Sequence, residues 1–517
     1  MKREGGRVLL FVVMGVAVVV GLLMAIAWFT RTPLYTLQTA ERPECVTPAS
    51  DRDVLIGLAV SGGGSRAALF AAGAFEALGK IRTGPDQRSV LEQVSYISSV
   101  SGGSMASSYF VARKPGKSVP VLTPEGAVTK EYQDFFQHFK EDMKFDLEGL
   151  ILRRQLFRLR WINPAWTAWS LAELLDESYL TGMTFKELGI REAQGDSPRL
   201  LVNTTLYNNG RRFVVSTLPR EASEYDVFLD LNRISGARKL DEEGEQLLRS
   251  RWESLRSVTP EDIKLDTCPV RVAAAVVGSM SFPPVVGPIS FRVKGQDKYW
   301  HVGDGGLADN TGAESLLMVF LKKLQERKAR RALIISFDSS FPFLVGGEEL
   351  SHRAEGFTLF SYDFSRIPSI MEERATAYRS WFLRISQRQG LLPGPDQLGL
   401  ITLRHTDAEW KEDMSDLPDS CRESESKIKV PKEIARRLAG IATRLWLASP
   451  CDRDLTIAAA AKVVAQNEAK IKRFLEAAMD EGHPKRHGDR PTRNRESMLS
   501  PEAKDPIVGL DSIKRFR

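Results

Sequence analysis

The 517-residue chain is poor in the residues that build metal, redox and nucleotide sites. It has four cysteines, Cys45, Cys268, Cys421 and Cys451. None forms a CxxC pair or a zinc-type cluster with histidine, so no metal site is expected. An even number permits disulfides in an exported domain, with Cys421 and Cys451 near enough for a local staple; in a reducing compartment all four would remain thiols. There are only six histidines, His138, His301, His352, His405, His483 and His487, and none lies in a motif. The glycine-rich stretch has neither the Lys-Ser/Thr of a P-loop nor the G-x-G-x-x-G spacing, so no nucleotide cofactor is expected, nor any other. No internal repeat is present. The net charge of +6 is carried by the two ends: residues 8–481 sum to zero. A neutral middle excludes a nucleic-acid-binding core, which needs its own basic face.

Charge is absent altogether from Val8 to Phe29, an apolar run of 22 residues. As a helix it would reach about 33 Å, enough for a ~30 Å hydrocarbon core. Lys2, Arg3 and Arg7 precede it, so residues 1–7 are expected in the cytoplasm and the remainder of the chain outside it, on a single-pass anchor. The rival is a cleaved signal peptide with Ala25-Ile26-Ala27 as its small-residue site; the length of the run favours the anchor. Thr30 to Arg52 is polar with scattered prolines and reads as a tether.

Beyond it, two units repeat the order strand, glycine turn, helix: Val54–Val60 into Ala67–Lys80, and Val94–Val100 into Ser104–Ala112. That order is the signature of a mostly parallel α/β sheet. Further strands are expected at Leu200–Leu206, Arg212–Leu218, Arg271–Val277 and Ala332–Phe337. After Asp338 the pattern is helix-rich, with Ile367–Gln387, Pro431–Leu447 and Asp454–Met479 broken by a short strand, Gly399–Arg404. The expected divisions are 1–30 head and anchor, 31–52 tether, 53–340 catalytic domain, 341–481 helix-rich region, and 482–517 a basic tail without apolar periodicity.

Three short motifs carry chemistry. Ser99-Val100-Ser101-Gly102-Gly103 sits where a strand meets a helix, which pushes the Ser101 hydroxyl out on a tight turn. The usual G-x-S-x-G has glycine where this chain has Ser99. Ser61 to Arg66 offers consecutive N–H groups on Gly62, Gly63 and Gly64 at the start of a helix, a cradle for a phosphate or an oxyanion. Gly303-Asp304-Gly305-Gly306 presents one carboxylate between glycines. Each alone is also a common turn.

Together, V-S-G-G-G-S-R-A at Val60–Ala67, the Ser101 elbow, S-F-P-P at Ser281–Pro284 and D-G-G at Asp304–Gly306 resemble the patatin-like phospholipase family, in family order. The S-G-G-G-x-R and S-G-G-S forms are also similar to its cytosolic phospholipase A2 branch. The resemblance covers about Val54 to Ser340. It implies a patatin-like three-layer α/β fold and a Ser–Asp dyad without histidine. On that resemblance Ser101 is the nucleophile and Asp304 the base. Gly62, Gly63 and Gly64 line the oxyanion hole, and Arg66 supports the lipid phosphate or the developing anion. It implies a serine acyl hydrolase of phospholipase A or lysophospholipase type, acting on membrane phospholipid or lysophospholipid. A histidine triad would have to draw on His352 or His405, with His301 a lesser candidate. The alternative to an enzyme is a non-catalytic lipid-binding or scaffold protein on the same fold. The run Leu150–Trp169 interleaves leucine and tryptophan with Arg153, Arg154, Arg158 and Arg160, which suits either a lipid headgroup contact or a helical cap on the sheet. Asn203-Thr204-Thr205 matches a glycosylation acceptor but falls in an expected strand.

Overall fold

A computed structural model describes residues 2–157, 163–226, 241–283, 286–340, 366–424 and 430–480. Its strands are β1 (Leu34–Leu37), β2 (Val54–Val60), β3 (Tyr96–Val100), β4 (Arg199–Leu206), β5 (Arg211–Val215), β6 (Ile289–Val293), β7 (Tyr299–Asp304), β8 (Arg331–Asp338) and β9 (Leu398–Arg404). These form one sheet in the order β1-β6-β7-β4-β3-β2-β8-β9, with β5 hairpinned onto β4. The sheet is mixed: β7 runs antiparallel to both β6 and β4, while β4, β3, β2, β8 and β9 are parallel.

Alternation along β2 shows why there are three layers. Ile56, Leu58 and Val60 face one apolar core, and Leu55 and Ala59 face another. A strand buried on both faces needs apolar residues at every position, which V-L-I-G-L-A-V supplies. The first core is covered by α2 (Gly64–Gly79) and α3 (Gly102–Arg113), the second by α4 (Ala313–Gln325). A Cβ at Gly57 would lie 2.7 Å from the Phe320 ring of α4, so the missing side chain lets that helix close on the sheet.

Four expectations need correction. Arg271–Val277 is not a strand: Val272–Met280 is helix α5, almost wholly buried, so its β-branched run carries no polar face to mark the period. Pro431–Leu447 is helical only over α6 (Pro431–Gly440). The helix-rich region does not stand apart, because β9 pairs with β8 along its full length and helix α7 (Pro450–Asp480) packs on α2. At the crossing, a Cβ on Gly73 would come 2.7 Å from the Ile457 carbonyl. The segment 31–52 is not a slack tether. β1 pairs with β6, the Ala40 N–H donates to the Lys264 carbonyl, and Cys45 is disulfide-bonded to Cys268. A second disulfide joins Cys421 and Cys451, the expected local pair.

The N-terminal run lies in helix α8 (Lys2–Thr30), whose described side chains are those of Val13–Ala27 and Thr30. Among the described residues, no helix is long and apolar enough to cross a membrane. The chain leaving this helix is clasped: the Trp166 indole N–H donates to the Arg31 carbonyl at 2.9 Å, and the Asn163 amide does so at 3.3 Å.

Candidate active site

Strand register brings the first two motifs and the aspartate together. Val60 pairs with Ser99, Val100 with Asn203, and Thr204 with Asp304. The residues just beyond β2 and β3 and at the end of β7 therefore share one level of the sheet. Ser101, just beyond β3, and Asp304, at the end of β7, flank β4, and their side chains hydrogen-bond across it.

Ser101 has φ +50° and ψ −125°, a conformation that an L-residue adopts only under constraint. The constraint is visible. The Ser101 N–H donates to Ser279 Oγ at 2.8 Å, and the Ser279 hydroxyl donates to the Asn203 carbonyl at 2.5 Å. A Cβ at Gly103 would come 2.5 Å from the Ser61 carbonyl, and one at Gly102 would collide with the Gly64 carbonyl. Ser99, the departure from the usual elbow, is fully buried; its hydroxyl donates to the Leu201 carbonyl and accepts from Ser104. The extra oxygen is thus satisfied inside the turn and leaves the elbow intact.

Asp304 is 4% exposed. Burial pushes its carboxyl up to about 6, against the Gly306 N–H and the Ser101 hydroxyl, which both hydrogen-bond it and hold it down. The Gly306 N–H donates to Oδ1 at 2.7 Å, leaving the carboxylate fixed with one edge toward Ser101. Gly303 is required by the Tyr207 ring, whose nearest carbon would lie 2.5 Å or less from a Cβ there.

The three glycines of the loop divide. The Gly62 N–H already donates to the Asn310 carbonyl at 2.9 Å, so it is not an available oxyanion donor; this corrects its expected role. Gly62 instead gives room, since a Cβ there would meet the Asn310 side chain and stand 3.2 Å from Ser101 Cβ. Gly63 and Gly64 have φ of +140° and +60°, and their N–H groups have no acceptor among the described residues. The Ser65 N–H that follows donates to the Arg444 carbonyl at 2.7 Å.

Arg66 also differs from expectation. Its side chain is fully buried; Nε donates to the Ser339 carbonyl at 3.0 Å and Nη1 to the Ile441 carbonyl. It fastens the segment after α6 to the loop after β8, and does not reach toward a lipid phosphate.

None of the described histidines takes part in this cluster. His405 is buried against Phe70 and hydrogen-bonds the Asp338 carbonyl; burial, aided by the Arg66 charge, pushes it down to about 4. His301 is held to Ser290 Oγ at 2.8 Å, and His352 lies outside the described residues. Asn203 is fully buried and donates to Ser98 Oγ and the Ser99 carbonyl, so it is no glycosylation acceptor in the folded chain. Among the described residues no cluster of ligands could hold a metal.

Sequence reasoning missed Ser279 and Asn310, which brace the elbow and the glycine loop. Both stand within four residues of the quoted motifs Ser281–Pro284 and Gly303–Gly306, and their role shows only once β4 and β7 are side by side.

Of the run Leu150–Trp169, helix α9 (Leu147–Phe157) and helix α10 (Pro164–Leu175) are described. Trp169 stacks on Tyr35 with centroids 4.2 Å apart, and Arg154 pairs with Glu173 and Glu177, as a cap would. Leu152, Leu156 and Phe157 point outward and are exposed. Arg158, Arg160 and Trp161 lie outside the described residues.

Among solved structures, the chain is similar to human GIVD cytosolic phospholipase A2, with 14% identity and a TM-score of 0.38, covering 82% of this chain and 63% of that one. The same human protein in complex with methyl gamma-linolenyl fluorophosphonate gives 14% and 0.37, covering 83% and 59%. The chain thus spans about three-fifths of the length of these structures. No curated protein matches it. The profile of the patatin-like phospholipases matches residues 58–317, half of the chain and the stretch that holds the elbow, the glycine loop and Asp304; the chain belongs to the patatin-like phospholipase family.

Proposed function

We propose that the protein is a membrane-anchored serine acyl hydrolase that cleaves phospholipid or lysophospholipid acyl esters through Ser101 and Asp304. The observation that carries this reading is the pairing of a strained, elbow-mounted serine with a buried aspartate whose pKa lies near 6. A carboxylate with an ordinary pKa is a weak base toward a hydroxyl; raising it toward the working pH strengthens the base while keeping it ionised at neutral pH.

The reaction follows from these positions. Asp304 takes the Ser101 proton as Oγ attacks the ester carbonyl. The oxyanion that forms is met by the Gly63 and Gly64 N–H groups, at the positive end of α2. Collapse expels the alcohol, which leaves with the proton from Asp304, and the acyl group stays on Ser101. Asp304 then deprotonates a water that attacks the acyl-enzyme, releasing a fatty acid and restoring both residues.

The anchor reading rests on the uncharged run inside α8 and on the basic residues before it. Both cysteine pairs are bridged, which suits an oxidising compartment and so a domain outside the cytoplasm. The clasp on Arg31 gives the anchor a firm mount. β1 begins opposite Ser290, which pairs with His301, three residues before Asp304. The span therefore leaves the domain near the level of the site, with the exposed Leu152, Leu156 and Phe157 of α9 close by.

The test is fatty-acid release from a panel of phospholipids, lysophospholipids and a soluble short-chain ester. The wild type is expected to hydrolyse members of the panel, and Ser101→Ala none of them. A folded Ser101→Ala protein that retains turnover would remove the serine mechanism. A wild type active only on triacylglycerol would replace the phospholipid assignment.

A further inference from the structure

Helix α11 (Arg366–Arg388) lies on the far side of the site from the anchor and carries an outward face that packs on nothing described. Ile370, Met371, Tyr378, Trp381 and Phe382 are 48%, 70%, 62%, 63% and 53% exposed. At about 100° per residue they fall within about 120° of one another, along one face of a 3.6-residue helix. Five large apolar side chains in one stripe exceed the scattered exposure normal for a protein surface.

The charges of the same helix are sorted by face. Its two acids in this span point inward: Glu372 accepts from the Asn310 amide at 2.7 Å, and Glu373 pairs with Arg404 at 3.7 Å. Arg379 also turns in, to Asp309 at 3.0 Å and Glu314 at 2.9 Å. The exposed charges are all basic, Arg374, Arg384 and Arg388, and the Arg374 guanidinium lies 5.9 Å from the centre of the Tyr378 ring. Burial moreover pushes Glu372 up to about 8.

The helix is tied to the site. Glu372 holds Asn310, and Asn310 holds the Gly62 N–H of the glycine loop. Ile370 and Met371, next to Glu372 in the helix, are thus joined to the glycine loop through Glu372 and Asn310.

We propose that the outward face of α11 docks on an anionic lipid bilayer, with its apolar stripe in the headgroup–acyl boundary and its arginines on the phosphates. The occupant is chosen because an amphipathic helix with aromatic and aliphatic residues on one face, flanked only by arginine, matches that boundary in both polarity and charge. The proposal deepens the lipid acyl hydrolase reading and rests on it for its purpose. With the anchor at the β1 edge and α11 at the β8–β9 edge, two contacts straddle the site, and a substrate could pass from the bilayer to Ser101 without crossing water.

The test uses the full chain, reconstituted through its anchor into vesicles of phosphatidylcholine alone or mixed with phosphatidylglycerol. Brominated lipid quenches tryptophan only on contact. In the Ser101→Ala background, which does not consume the vesicles, the quenching lost on Trp381→Phe reports Trp381 itself. It is expected to be large with phosphatidylglycerol, smaller without it, and smaller again at high salt. In the otherwise wild-type chain, Met371→Glu with Phe382→Glu is expected to slow hydrolysis of vesicle lipid by roughly tenfold, with soluble-ester turnover unchanged. No quenching of Trp381 in either vesicle overturns the proposal. So does a double variant that melts earlier with Trp381 unquenched, since the face would then be part of the folded core. Quenching as expected with no esterase activity would instead remove the lipid-hydrolase reading and leave the docking face.

Discussion

Asp304 and Asp309 are both buried aspartates, five residues apart on the same glycine-rich turn, yet their surroundings drive them in opposite directions. Asp304 has no cation beside it; burial raises its carboxyl to about 6. Burial pushes Asp309 up as well, but Arg379 and Arg212, with Thr311 and the Glu314 N–H, outweigh it and hold the carboxyl below the usual range. One is kept ready to accept a proton and the other is kept from ever doing so. What separates a base from a brace here is whether an arginine was built in next to it.

The comparison is broken most severely by removing each carboxylate in turn. Asp304→Asn is expected to lower ester turnover by roughly 10²–10⁴-fold, with thermal unfolding little changed. Asp309→Asn is expected to do the reverse. It removes one of the two carboxylates that Arg379 meets and leaves it Glu314, so the loss is expected to fall below the cost of a fully broken buried pair, about 3–5 kcal/mol. Denaturant titration beside a short-chain ester assay reads both effects.

A smaller effect separates Gly63 from Arg66. Gly63→Ala puts a Cβ 2.8 Å from the Ser339 carbonyl and displaces an oxyanion donor, so turnover is expected to fall by roughly 10²–10³-fold. The loss should appear in kcat, with soluble-ester KM nearly unchanged. Arg66→Ala should act on stability and spare the headgroup preference, because its guanidinium is committed to the Ser339 and Ile441 carbonyls.

The smallest effect is on pH. Turnover needs Asp304 ionised, so kcat/KM for a soluble ester is expected to rise with pH with a midpoint about 6 and then to level off. In stability the two aspartates have opposite signs. Asp304 binds its proton more tightly when folded, so its contribution is present below its unfolded pKa and is lost as pH rises through about 6. The contribution of Asp309 is present above its unfolded pKa and is lost as pH falls through its lowered folded value. Comparing unfolding free energies of Asp304→Asn and Asp309→Asn with wild type across this range checks both signs.

The chemistry was legible in the sequence because it is local. Ser101, Gly63, Gly64 and Asp304 each sit in a short glycine-bearing motif. Most strands and long helices were legible too, since a buried strand or an amphipathic helix advertises its own period. What escaped depends on distant partners. Arg66 meets carbonyls 273 and 375 residues away, and nothing near it in sequence names them. The antiparallel course of β7, which makes the sheet mixed, is a property of pairing and leaves no mark on Tyr299–Asp304 itself. Val272–Met280 read as a strand because burial on all sides erased the helical period. The Cys45–Cys268 bridge, across 223 residues, is what turns an apparent tether into a mount.

The most direct test of the central claim is the rate and site of modification by a fluorophosphonate, read by mass spectrometry on wild type, Asp304→Asn and Asp309→Asn. The account predicts one adduct, on Ser101, formed rapidly in wild type and in folded Asp309→Asn and at least 100-fold more slowly in Asp304→Asn, the lower bound of general-base catalysis at roughly 10². An adduct on another residue, or equal rates for Asp304→Asn and wild type, would contradict it.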